Sequence, residues 1–159
     1  MDDVKSIIDI AKEVFLRDGY HNPMVFVKGT DGKVAVEVKN FGEDSYQREL
    51  AMLNMGTFVA CKRHVGELDL VVIVTEAWMS TDLTMLPSQS PQRIEVLMIN
   101  ILDVVSQEEK MATFKIIRDK LGKAFELRPY DKSSDFFTVK GHLLPAFVKG
   151  YRAISPVHN

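Results

Sequence analysis

MVFVKGTDGKVAVEVK, residues 24–39, decides the fold class. Two valine-rich runs, Met24 to Lys28 and Lys33 to Lys39, flank Gly29-Thr30-Asp31-Gly32. A connection this short joins antiparallel strands, since a parallel pair needs a crossover of a dozen or more residues. In the second run Val34, Val36 and Val38 fall on one face, while Ala35, Glu37 and Lys39 fall on the other. One face therefore belongs to a core and the other is wet or covered by something polar.

Upstream of this hairpin, Val4, Ile7, Ile8, Ala11, Val14 and Phe15 recur at three- and four-residue spacing and predict an amphipathic helix. Gly19 ends it, and Pro23 bars its continuation. Downstream, Asp44 and Gln47 have capping-box spacing and open a helix over 44–64, with Lys62 and Arg63 favourably placed at its C-terminal dipole. Leu50, Leu53, Thr57, Ala60 and Cys61 form one stripe, and Met52, Met55 and Val59 widen it, so this helix is expected to be covered on more than one side.

Strands follow at Leu68 to Met79 and Arg93 to Val105, joined by the loop Ser80 to Gln92, which is long for a connection between neighbouring strands. A further pair spans 110–118 and 123–129 around Asp119-Lys120-Leu121-Gly122. Pro129 to Ser134 reads as turn or linker, and a short helix is predicted over Leu143 to Tyr151, with Pro145 tolerable in its first turn. The chain thus reads as a single α+β domain over 1–159, with a main body to 130 and a C-terminal segment over 131–159. Its order is α-β-β-α-β-β-β-β-α, with helices packed on an antiparallel sheet. This order resembles that of profilin-like and roadblock-like domains, a likeness of topology that implies a fold and no activity.

The chain has 46% hydrophobic and 26% charged residues, which suits a globular protein and argues against disorder. Its longest apolar runs fall far short of the ~20 residues that span a bilayer, so no membrane association is expected. Asp2 and Asp3 open the chain in place of a basic signal segment, and we expect a cytoplasmic protein. Cys61, the single cysteine, can form no internal disulfide, and among Phe58, Val59 and Ala60 it is expected to be buried and inert. Residues 1–109 carry 18 acidic and 10 basic side chains, whereas 110–159 carry 4 and 10. That basic third suggests an anionic partner, although acidic and basic segments folded side by side would also neutralise one another.

Four constellations carry candidate chemistry. Glu37-Val38-Lys39 at a strand end has the spacing of a metal-dependent phosphodiesterase site, but the same spacing recurs at Asp3 with Lys5, Asp31 with Lys33 and Glu108 with Lys110, and the further aspartate such a site needs on an earlier strand is lacking, since Asp31 falls in the hairpin turn. His64, Glu67 and Asp69 are a loose set of potential metal ligands near a helix end. Cys61 lies one turn before His64. Finally, Glu76 interrupts the apolar row Leu68, Leu70, Val72, Val74 and Trp78; it marks either the rim of the core or a site. No phosphate-cradling glycine loop occurs.

The reading that results is a non-catalytic binding or assembly module acting as a homo-oligomer. Its expected contact surface is Glu76, Trp78, Met79 and Arg93 with the adjoining loop, and its expected occupant is a protein partner or small ligand. No cofactor or metal is expected. A metal-dependent enzyme acting on nucleic acid through Glu37 and Lys39 is the alternative.

Overall fold

The structure, a computed structural model, describes residues 2–80, 84–130 and 137–154. In chain order its elements are α1 (Asp2–Asp18), β1 (Met24–Gly29), β2 (Gly32–Glu37), α2 (Ser45–Lys62), β3 (Leu68–Met79), a single 3-10 turn at Pro87–Gln89, β4 (Ile94–Asp103), β5 (Glu108–Arg118), β6 (Ala124–Pro129), β7 (Phe137–Val139) and α3 (Leu143–Arg152). The expected α+β order is recovered, with one additional short strand, β7. The strands form a seven-stranded antiparallel sheet in the order β2-β1-β3-β4-β5-β6, with β7 pairing to β5.

The hairpin pairs Gly29 with Gly32, so its two turn residues are Thr30 and Asp31. Neither is left-handed, unlike the residues of the turns that usually close such hairpins. Their geometry follows from anchoring: Thr30 N–H donates to Glu67 O at 2.9 Å, Asp31 N–H to Val65 O at 2.8 Å, and Glu67 N–H to Thr30 Oγ1 at 3.0 Å. The turn is therefore pinned to the segment that connects α2 to β3. Gly66, at φ +82°, completes the fit, because a Cβ there would overlap the Thr30 hydroxyl.

Contacts group the chain into two compact units, each drawn from separated segments. The hairpin unit comprises Pro23–Ile73, Asn100–Lys110 and Thr138–Asn159. Its core joins Val25, Val27 and Val34 of the hairpin, Met52 and Val59 of α2, Val71 and Ile73 of β3, and Leu144 and Phe147 of α3. Asp44 caps α2 by accepting from Gln47 N–H at 2.7 Å, while Gln47 Oε1 reaches back to Glu43 N–H at 2.9 Å.

Covering on two sides of α2 is what the structure shows: strands take Met52 and Val59, and α3 packs against Gly56. A Cβ at Gly56 would overlap Phe147 O and approach Tyr151 N to 2.8 Å, and one at Gly150 would overlap Leu53 O. Two glycines thus let the helices meet backbone to backbone, and Thr57 Oγ1 lies 3.2 Å from both Leu53 O and Gly150 O. This geometry turns the stripe expected from the sequence. Leu50 and Cys61 face outward with Tyr46 and Phe58, so the expectation of a buried Cys61 is corrected: the glycine face of α2, not the cysteine face, receives the neighbouring helix.

The meander unit comprises Met1–Asn22, Val74–Ile99 and Met111–Phe137. Here α1 buries Ile8, Ala11 and Phe15, as its spacing predicts, and the Lys12 ammonium sits 4.0 Å from the Phe114 ring centre. Gly19, at φ +81°, terminates α1 and donates its N–H to Phe15 O at 2.7 Å. At the β5–β6 turn Asp119 Oδ1 accepts from Leu121 and Lys123 N–H at 2.8 and 3.0 Å, while Gly122 takes φ +83°.

Candidate functional site

The surface expected from the sequence lies in the meander unit, where β3 emerges from its cover. Val74 is fully buried, Glu76 is exposed, and Trp78 is 42% exposed. Glu76 sits at a rim: α1 has ended three residues before His21, whose N–H donates to Glu76 Oε2 at a long 3.4 Å. Partial burial, reinforced by the charge of Glu95, raises the Glu76 carboxyl above its ordinary range against the opposing pull of the His21 N–H and Arg118.

Arg93 stacks its guanidinium 4.6 Å from the Trp78 ring centre. Beside it Glu95 accepts from Arg118 Nε at 2.8 Å and Nη2 at 2.5 Å, and Arg118 Nη1 donates to Gly122 O at 2.9 Å. Arg93 and Glu95 lie on this face, while Val96 is fully buried. Met79 is half-buried.

Within the loop, residues 81–83 lie outside the described residues. Its neck is closed by Ser80 Oγ and Ser90 Oγ at 2.9 Å, and Ser90 Oγ also accepts from Gln92 N–H at 3.1 Å. Met85 and Leu86 are exposed. Of the four residues named from the sequence, Arg93 and Trp78 are thus brought into contact, while Glu76 takes its hydrogen bond from His21.

The remaining candidates are not gathered into a centre. Glu37 and Lys39 stand exposed on the outer side of β2 and just beyond it. His64 Nδ1 accepts from Gly66 N–H at 3.0 Å, and its ring lies 4.8 Å from that of Tyr151. Glu67 is exposed, and Asp69 is half-buried with its backbone carbonyl taken by Val104 N–H at 2.9 Å. Among the described residues, no three His, Cys, Asp or Glu side chains are placed to hold a metal ion.

A different carboxyl group draws attention in the hairpin unit. Glu109, in β5, is 5% exposed. Its Oε2 accepts from Gly141 N–H at 2.9 Å, and its Oε1 is buried with no hydrogen-bond partner among the described residues. Gly141 makes this approach possible, since a Cβ there would lie 2.7 Å from Oε1. Burying a carboxyl oxygen without a donor is costly, and such an atom calls for an explanation. Glu109 forms part of the lining of a cleft of about 840 Å³, walled by apolar Leu102, Val139, Pro145 and Val148 and edged by Lys140, His142, Lys149 and Arg152.

The wall that α3 supplies is firmly held. Its Tyr151 hydroxyl donates to Gly66 O at 2.6 Å and accepts from Val65 N–H at 3.1 Å, and burial raises the phenol above its ordinary range, so it keeps its proton. Chemically, the lining combines aliphatic side chains, one buried carboxyl group and exposed cations.

Sequence reasoning passed over Glu109 because it began the strand at residue 110, which left the glutamate in a turn. The structure begins β5 at Glu108. Comparison with known proteins adds no family to this picture: no family model, no curated protein and no solved structure matches the chain.

Proposed function

We propose that this protein is a binding module that takes a small polar ligand in the cleft over Glu109. The observation that carries the reading is Glu109, a residue on the lining of an 840 Å³ cleft, a volume typical of ligand sites, whose buried Oε1 lacks a donor among the described residues. A bound donor would complete its coordination. Recognition rather than turnover suits a carboxyl group held in place by a backbone amide, with cations set around it.

The test is a titration of the isotope-labelled chain with a panel of small polar molecules, followed by the backbone amide resonance of Gly141, whose N–H is bonded to Glu109. At least one compound should move Gly141 and the neighbouring resonances of α3 together. A panel that leaves them all in place removes the reading.

Assembly into a homo-oligomer is supported by a separate observation. The outward arc of α2 exposes Tyr46 (75%), Leu50 (43%) and Phe58 (51%), apolar surface that neither the strands nor α3 covers. Sedimentation at micromolar concentration should show a dimer, and Leu50→Asp with Phe58→Asp should return it to monomer. A wild-type chain that sediments as a monomer sinks this part of the reading.

A further inference from the structure

We infer that the outward face of α2 is the contact between two copies of this chain, with the two α2 helices crossing antiparallel about a two-fold axis beside Asn54. The inference rests on the reading of the protein as a homo-oligomer and concerns the place and geometry of its contact.

The face is built on a four-residue repeat. Tyr46, Leu50, Asn54, Phe58 and Lys62 follow one another at that interval and are all exposed, so they form one ridge along α2. The elements packed on α2 leave this ridge uncovered, because the strands take Met52 and Val59 and α3 meets Gly56. Tyr46, Leu50 and Phe58 are large and apolar, a concentration that a lone copy leaves in water.

The order of side chains along the ridge selects the occupant. A two-fold axis sets one residue against a second on the other copy and that second against the first, so the ridge must match its own reverse. Centred on Asn54, it does. Leu50 falls beside the partner subunit's Phe58, and by symmetry the apolar pair occurs twice. Tyr46 falls beside the partner subunit's Lys62, whose apolar stem and ammonium group suit an aromatic ring. Asn54 meets its own copy, and a carboxamide carries both donor and acceptor, so the two satisfy each other. Charge fixes the direction. Glu43, Asp44 and Glu49 are exposed at the N-terminal end of α2 and Lys62 and Arg63 at its C-terminal end, while Arg48 is drawn aside over the Phe41 ring, 5.4 Å from its centre. Antiparallel helices bring the acidic end to the basic end and align their dipoles favourably, whereas parallel helices set like charges side by side.

The experiment is oxidative cross-linking of the full chain, with Cys61→Ser as the background for each added cysteine. Asn54→Cys is expected to give a disulfide-linked dimer, because the axis brings position 54 within disulfide reach of its own copy. Tyr46→Cys and Lys62→Cys should stay unlinked, since each position stands about 24 Å from its copy along the helix. Chains carrying Leu50→Cys should link to chains carrying Phe58→Cys more readily than either links to itself. The wild-type chain should stay unlinked through Cys61, which stands about 21 Å from its copy. All these positions are exposed, and circular dichroism shows that each variant is folded. If the wild type sediments as a dimer but links readily at position 46, 61 or 62, or fails to link at 54, the antiparallel contact is overturned while the homo-oligomer reading stands. A wild type that sediments as a monomer overturns both and leaves the face to a different protein.

Discussion

Two glutamates show opposite ways of placing a carboxyl group on a strand. Glu76 stands at a rim, exposed to water, with the His21 N–H on one oxygen and Arg118 contributing a favourable charge. Glu109 is buried, holds one backbone donor, and has an oxygen with none among the described residues. The first arrangement costs little, because solvent and neighbours share the charge. The second carries a real penalty that nothing within the described structure offsets. A residue that is costly where it stands is the better pointer to a site than one that merely interrupts a pattern, which is why the cleft rather than the rim carries the functional reading.

The largest effect is expected at the seam that holds the wall of the Glu109 cleft. Gly56→Ala forces a methyl into the Phe147 carbonyl, so α2 and α3 must separate, at a cost of about 3 kcal/mol in urea unfolding. The same substitution should disturb ligand binding, since α3 lines the cleft. A loss below about 1 kcal/mol would show that the helices accommodate the methyl and that the glycine contact is not decisive.

Next comes the anchor at the end of that wall. Tyr151→Phe leaves Val65 N–H and Gly66 O without their partner and should cost about 2 kcal/mol. Thermal unfolding monitored by circular dichroism measures it, and an unchanged midpoint would mean that water replaces the hydroxyl.

The contrast itself is sharpened by Glu109→Gln in the ligand-free protein. The amide keeps an acceptor for Gly141 N–H and removes the buried carboxyl oxygen that lacks a donor, so stability should rise by about 1 kcal/mol. Lower stability would show that Oε1 already has a partner, such as an ordered water, and would erase the difference between the two glutamates.

Glu76→Gln should produce the smallest change. The raised Glu76 value means that the native state binds this proton more tightly than the unfolded chain does, so the ionised group costs stability at neutral pH and that cost fades as pH falls. The variant should therefore gain about 0.3 kcal/mol at pH 7 and nothing in acid below the ordinary glutamate range. A gain that persists in acid would have another origin than ionisation.

Much of the fold could be read directly from residues. The hairpin at 24–39, the spacing of Ile8, Ala11 and Phe15, the Asp44 cap and the Asp119 turn all act within a few residues of chain, where periodicity and side-chain to backbone bonds are local. The rim residues Glu76, Trp78 and Arg93 were also named in advance, because a charge and an indole at a strand end break a visible alternation. Which residues of β4 share that face is not legible in the sequence, since register depends on pairing across a thirteen-residue loop.

The sequence by itself determined the α+β class, the order of every element but β7, and the residues that stop α1 and start α2, because those rest on short-range backbone and patterning rules. Only the tertiary structure decided which face of α2 is covered, since that depends on Gly150, nearly a hundred residues away, meeting Leu53. It alone decided that Cys61 is exposed. It alone also brought Gly141 to Glu109 across 32 residues of chain, where the lack of a side chain at one position and the burial of a carboxyl group at the other have meaning only together.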